Sequence, residues 1–212
     1  MNSAKIFIPK QILILTCLAV ALNVIRLIWS DSTYFLYLIW NIFLAFLPFM
    51  ISASILWYKN NKEINSELLW FGLIIWLFLF PNAPYLVTDI IHLGGKSIVP
   101  LWYDALLLFS SAWVGMLLAL HSLSHVEQIF LTKYSKRTTQ LLLSGAILLS
   151  SFGIYIGRFL RWNTWDIIVQ PHYIFKDVSV IFFRPFHYLE AYIFTLLFFL
   201  FISISYLAWK QR

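Results

Sequence analysis

The chain has 212 residues, of which 61% are hydrophobic, 19% aromatic and 11% charged, and it carries a formal net charge of +6. Its mean hydropathy of +0.82 lies far from the balance of a soluble domain, so a water-exposed globule is excluded and a chain embedded in lipid is expected. The pI near 9.4 comes from short basic clusters beside apolar stretches, which set topology and meet anionic lipid, so no nucleic-acid partner is expected.

A helix needs about 20 mainly apolar residues to cross about 30 Å of hydrocarbon. Six stretches meet this length approximately: 10–29, 34–57, 67–81, 101–123, 139–161 and 187–208. The predicted fold is therefore all-α: a polytopic integral membrane helical bundle of about six transmembrane helices, with short amphipathic interfacial helices on the outer side. It is read as a single membrane domain over 1–212.

The first stretch imitates a cleavable leader at Ala19-Val20-Ala21, but apolar sequence resumes at once through Trp29, so a retained helix is expected. The lone Cys17 lies inside it and is read as packing. Near the outer ends of the first two stretches stand Asn23, Arg26 and Asn41. Arg26 is read as a snorkelling side chain and Asn41 as a helix-to-helix hydrogen bonder.

The third stretch is short before Pro81 and runs into Pro81-Asn82-Ala83-Pro84-Tyr85-Leu86-Val87-Thr88-Asp89-Ile90-Ile91-His92-Leu93-Gly94-Gly95. Asn82 suits a helix cap, Pro84 a first turn, and Gly94 and Gly95 a helix end. Tyr85, Asp89 and His92 recur at i, i+4 and i+7, which predicts one polar helical face. That face is either solvated at the interface or turned inward as a binding surface.

The fourth stretch opens Trp102-Tyr103-Asp104, and Asp104 is followed at helical spacing by Ser111, Gly115 and Ser122, a small polar stripe suited to close packing. A carboxylate at that depth is costly unless paired or wet. His121, near the inner end, is the deep ionisable candidate of this stretch. The fifth stretch carries Ser144, Ser151, Tyr155 and Arg158 and ends Gly157-Arg158-Phe159-Leu160-Arg161-Trp162-Asn163-Thr164-Trp165-Asp166. At i,i+3, the Arg158 and Arg161 guanidinium forks are expected to face one region, suited to carboxylate or phosphate, with Asp104 or Asp89 as an internal partner.

Residues 164–186 are too polar to cross and too aromatic to float free, which predicts segments along the outer interface broken at Pro171 and Pro185. The sixth stretch begins His187-Tyr188-Leu189-Glu190. Asp89 with His92 and His187 with Glu190 form two carboxylate/histidine pairs, but they come from separate segments, and no metal ligands are assigned from them. The cofactor is left unknown.

Six spans with a cytoplasmic amino terminus put Lys5, Lys10, Lys59, Lys62, Lys133, Lys136, Arg137, Lys210 and Arg212 inside, against Glu63, Glu67 and Glu127. The whole excess of +6 then lies on the inner side, as the positive-inside rule requires. Outside lie Arg26, Lys96, Arg158, Arg161, Lys176 and Arg184, balanced by Glu190 and all five aspartates, Asp31, Asp89, Asp104, Asp166 and Asp177. A cell-membrane protein with both termini cytoplasmic is expected. Asp31 and Asp177 read as solvated loop charges, and Asp166 as a cap or anchor.

At Pro81-Asn82-Ala83-Pro84-Tyr85, Thr88-Asp89, His92, Trp102-Tyr103-Asp104 and Gly157-Arg158-Phe159-Leu160-Arg161-Trp162-Asn163 with Trp165-Asp166, the chain resembles an uncharacterised bacterial membrane family, domain of unknown function 1361. The likeness runs from about the second stretch onward. It implies a bacterial multi-spanning inner-membrane protein and brings no activity, substrate or cofactor with it.

The leading expectation is an outward-facing polar site that binds a polar or anionic group, such as a lipid head group or lipid-linked ligand. Asp89, His92 and Asp104 are its candidate acid/base groups. Asn82, Tyr85, Arg158, Arg161 and Asp166 are its candidate ligand-binding groups, the two arginines clamping an anion. Whether the site is enzymatic stays open. A small transporter or channel component, and a non-catalytic assembly subunit with unknown protein partners, are the alternatives.

Overall fold

The computed structural model describes residues 8–61, 65–94 and 99–211. Lys5, Lys62, Glu63, Gly95, Lys96 and Arg212 lie outside these, so their assigned sides and the proposed helix end at Gly95 rest on sequence alone. Among the described residues the chain is helical throughout, without strands: α1 (Lys10–Ser30), α2 (Tyr37–Asn61), α3 (Ser66–Leu79), α4 (Asn82–Tyr85), a 3-10 helix (Leu86–His92), α5 (Leu101–Leu131), α6 (Lys136–Phe159), α7 (Asp166–Val169), α8 (Pro171–Phe183) and α9 (Leu189–Lys210). Six helical stretches are long and apolar enough to cross a membrane, the third of them running from Ser66 to His92 through the 3-10 segment.

The chain forms two compact units, Met1–Tyr134 and Ser135–Arg212. In the first, α5 is the central helix: 72% of its apolar window is buried, against 28–44% for α1, α2 and the Ser66–His92 stretch. One face of α2, at Leu38, Ile42, Ala45, Phe49 and Ser52, is buried at alternating spacings of four and three, and α2 makes its most extensive packing with α5. Asp104, Ser111, Gly115 and Ser122 are all buried along α5, as their spacing predicted. At Gly115 the absence of a side chain is required, because a Cβ would run into the Ala83 carbonyl oxygen and the Leu86 side chain. That close approach seats α4 and the 3-10 helix directly on α5.

Polar ends hold the helices together. The Asn65 side chain accepts from the Glu67 amide and caps α3. At the far end of α5, the Lys59 ammonium donates to the Ile129 carbonyl at 2.8 Å, satisfying a terminal acceptor and placing a cation at a helix C-terminus.

In the second unit, α6 packs along α9, and Tyr155, Ile181 and Ala191 form a small core with Phe152, Leu160, Tyr188 and Phe194 around it. Ser135 caps α6 by accepting from the Thr138 amide. Residues 166–183 form the two short helices expected there, with Pro171 opening the second. Ser144 is exposed, so the buried face of α6 runs instead through Leu143, Ile147, Ser150, Ser151, Ile154 and Tyr155.

Candidate functional site

The connection after α3 is not the single α-helix that its i, i+4, i+7 pattern predicts. One α-turn at Asn82–Tyr85 tightens into the 3-10 helix Leu86–His92. At three residues per turn the aligned positions become Leu86, Asp89 and His92. Leu86 and Asp89 are therefore the buried residues, while Tyr85 is only partly buried. Asn82 does not cap this segment: it stands one residue inside, its side-chain amide donating back to the Leu79 carbonyl at 2.9 Å. The Thr88 hydroxyl likewise donates to the Tyr85 carbonyl at 2.7 Å. Each of these bonds satisfies a backbone acceptor where the helix changes pitch.

Asp89 is 1% exposed, and its carboxylate accepts from the Asn41 side-chain amide of α2 at 3.2 Å. Asn41 thus bonds across helices as expected, and its partner is one of the candidate acids. His92 lies edge-on between the Tyr37 and Tyr34 rings, with centroids at 5.5 and 6.3 Å.

Asp104 sits in the first turn of α5, where the helix dipole favours a carboxylate. It too is 1% exposed, and Arg26 of α1, also 1% exposed, binds it through two donors: Nε to one carboxylate oxygen at 2.7 Å and Nη2 to the other at 3.3 Å. The Arg26 guanidinium also lies 4.3 Å over the Phe35 ring. Arg26 is therefore not the snorkelling side chain expected but the buried counter-ion of Asp104. A buried carboxylate in hydrocarbon requires such a partner. The Tyr103 hydroxyl donates to the Leu22 carbonyl at 2.8 Å, a second tie between α1 and α5. One turn below Arg26, Asn23 is 2% exposed, and its side-chain NH2 meets no hydrogen-bond acceptor among the described residues.

The short run Tyr34-Phe35-Leu36-Tyr37 joins these parts. Phe35 underlies Arg26, while Tyr34 and Tyr37 flank His92. An open apolar groove of about 460 Å³ lies alongside, lined by Ile90 and Leu93 of the connection and by Ala105, Leu106, Leu108 and Phe109 of α5. Its walls are continuous in sequence with both buried acids, since Ile90 follows Asp89 and Ala105 follows Asp104.

The other candidates belong to the second unit. Arg158 is partly buried at the end of α6. The helix stops at Phe159, and Arg161 follows in a left-handed conformation, φ 61°, with its side chain exposed. The helical i,i+3 register that would align the two forks is therefore not formed. The Asp166 carboxylate accepts from the Asn163 amide at 2.7 Å and from its side chain at 3.2 Å, a local anchor for the start of α7. Asp177, expected as a solvated loop charge, lies in α8 and accepts from the Trp162 indole at 2.9 Å. Asp31 is exposed, as expected, and closes α1 in the left-handed region.

Sequence reasoning missed Arg26, Tyr34, Phe35 and Tyr37 as neighbours of the acids. Arg26 carried a usable signal: an arginine inside an apolar helix, with Asn23 and Ser30 on the same face, has to find a buried partner. Nothing local announced the aromatic run. Among the described residues, no group of three or more His, Cys, Asp and Glu side chains is arranged to hold a metal.

A chain that is all-helical among the described residues, with six membrane-length apolar helices and a buried Arg26–Asp104 ion pair, is a multi-pass membrane protein. The family described as Protein of unknown function (DUF1361) matches residues 40–205, most of the chain, and the protein belongs to that family. No curated protein and no solved structure matches it.

Proposed function

We propose that this is a bacterial inner-membrane protein with both termini in the cytoplasm, and that its outward-facing polar site binds the head group of a lipid or lipid-linked ligand. The observation that carries this reading is the groove: an apolar trough of about 460 Å³ whose walls are continuous in sequence with two buried carboxylates. Its volume is that of an ordinary ligand pocket, and its lining suits an acyl or polyprenyl chain. His92 and Tyr85, only partly buried, then meet the head group, with the aromatic rings of Tyr34 and Tyr37 offering flat faces to a sugar or glycerol, while buried Asp89, through Asn41, and Asn82, through the Leu79 carbonyl, position the segment. Asp104, tied to Arg26, holds the helices that form the site. Arg158 and Arg161 are the candidate anion-binding groups of the second unit, suited to a phosphate by their forked donors.

Lipid retained by the protein purified in mild detergent tests this. One lipid class is expected to be enriched over the bulk membrane extract, to be lost on Ala105→Trp, which fills the groove, and to be reduced on Asp89→Asn. Retained lipid matching the bulk extract in all three proteins would refute the reading. A transport role is the second reading, favoured by polar residues that continue along buried α5 at Ser110, Ser111 and Ser122.

A further inference from the structure

A second polar cluster lies in the first unit, far from the outer acids. His125 stands 21 residues beyond Asp104 on α5, about 32 Å along the axis at 1.5 Å per residue. That is the full thickness of a hydrocarbon core. Here α2, α3 and α5 meet. The Trp76 indole donates to the Ser122 hydroxyl at 2.7 Å, Ser122 Oγ lies 3.2 Å from the Pro48 carbonyl, and Ser52 Oγ lies 3.0 Å from Ser122 Oγ and 2.9 Å from the Phe49 carbonyl. His125 Nδ1 approaches Ser52 Oγ at 3.1 Å.

Proton accounting orients the imidazole. Trp76 can only donate, so Ser122 accepts from it and turns its own proton to the Pro48 carbonyl. Ser52 has one proton and two oxygen acceptors in range, the Ser122 hydroxyl at 3.0 Å and the Phe49 carbonyl at 2.9 Å. When that proton goes to either of them, the contact with the imidazole is made by His125 Nδ1–H donating to Ser52 Oγ. Nε2 is then the nitrogen with the lone pair.

His121 lies one turn before His125, at i,i+4, and both imidazoles pack on the Phe49 ring, with centroids at 6.4 and 5.3 Å. They therefore occupy the same side of α5. Two histidines at this spacing are the helical H-x-x-x-H chelate, and a ligating histidine held through its other ring nitrogen is the usual support for one.

We propose that His121 and His125 bind one borderline transition-metal ion, of the copper, nickel or zinc class, with Ser52 as the positioning residue for His125. Neutral imidazole suits these ions. Two protein donors leave coordination positions open, so the ion exchanges rather than holding the fold together. The site is separate from the outer one and does not depend on the lipid reading.

The test is titration of the purified full chain, bearing no histidine tag, with Cu2+, Ni2+ and Zn2+. One ion per chain is expected, bound most tightly for Cu2+. Binding is expected to vanish in His121→Ala and His125→Ala, and to weaken about 10- to 100-fold in Ser52→Ala, which keeps both ligands. Paramagnetic resonance of the Cu2+-loaded native chain reports the ligands without any substitution, and coupling to two imidazole nitrogens is expected. No saturable binding, binding that survives both histidine substitutions, or coupling to fewer than two nitrogens would each overturn the proposal.

Discussion

Arg26 and Asp104 illustrate how one residue's surroundings decide its role. Both side chains are withdrawn from solvent and joined by two hydrogen bonds. Removing one partner leaves the other charged and buried, which costs about 3–5 kcal/mol, whereas replacing both by apolar residues of similar size is close to neutral or stabilising. Arg26→Met and Asp104→Leu are each expected to lower the thermal unfolding midpoint in detergent sharply, and the double variant to recover most of that loss. A double variant as unstable as the singles would mean that Asp104 serves more than this pair. Asn23 presents the opposite case: its buried NH2 finds no acceptor among the described residues, and an unmade hydrogen bond of this kind costs about 1–3 kcal/mol. Asn23→Leu is expected to raise the unfolding midpoint. A fall would show that the amide is in use.

At the scale of elements, the connection between α3 and α5 depends on what it packs against. Gly115 admits the Ala83 carbonyl and Leu86 so closely that any side chain there displaces them. Gly115→Ala is accordingly expected to loosen residues 82–92 while leaving α5 helical, read as faster amide exchange confined to that segment. Unchanged exchange would mean the backbone yields at little cost. The six long helices were legible in the sequence because apolar length is a local property, and the small polar stripe of α5 because its period is helical. The tightening of 86–92 into a 3-10 helix was not, since tertiary contact with Gly115 overrides the α-helical spacing of Tyr85, Asp89 and His92. The Arg26 partnership joins positions 78 residues apart, a pairing that no spacing rule reaches. The H-x-x-x-H pair stands in the residues as His121-Ser122-Leu123-Ser124-His125, yet sequence reasoning singled out His121 alone and missed it as a pair, and the anchoring of His125 by Ser52 needed coordinates.

For the whole molecule, the proposed orientation rests on charge. In that orientation the excess of +6 falls on the inner side, with Lys10, Lys59, Lys133, Lys136, Arg137 and Lys210, while the aspartates and their cations balance on the outer side. Lys and Arg near short loops resist translocation, and Asp and Glu contribute little, so the proposed orientation keeps the side rich in cations in the cytoplasm. A reporter fused after Lys136 is therefore expected to be active only as a cytoplasmic fusion, and one fused after Thr164 only as an external one. Neutralising Lys133, Lys136 and Arg137 together removes the densest cluster and is expected to produce a mixed population rather than a clean inversion, because Lys10 and Lys59 still hold the first two helices. The reverse pattern in the native chain would move Asp89, Asp104 and the groove to the cytoplasmic face. The ligand would then have to be a lipid of the inner leaflet.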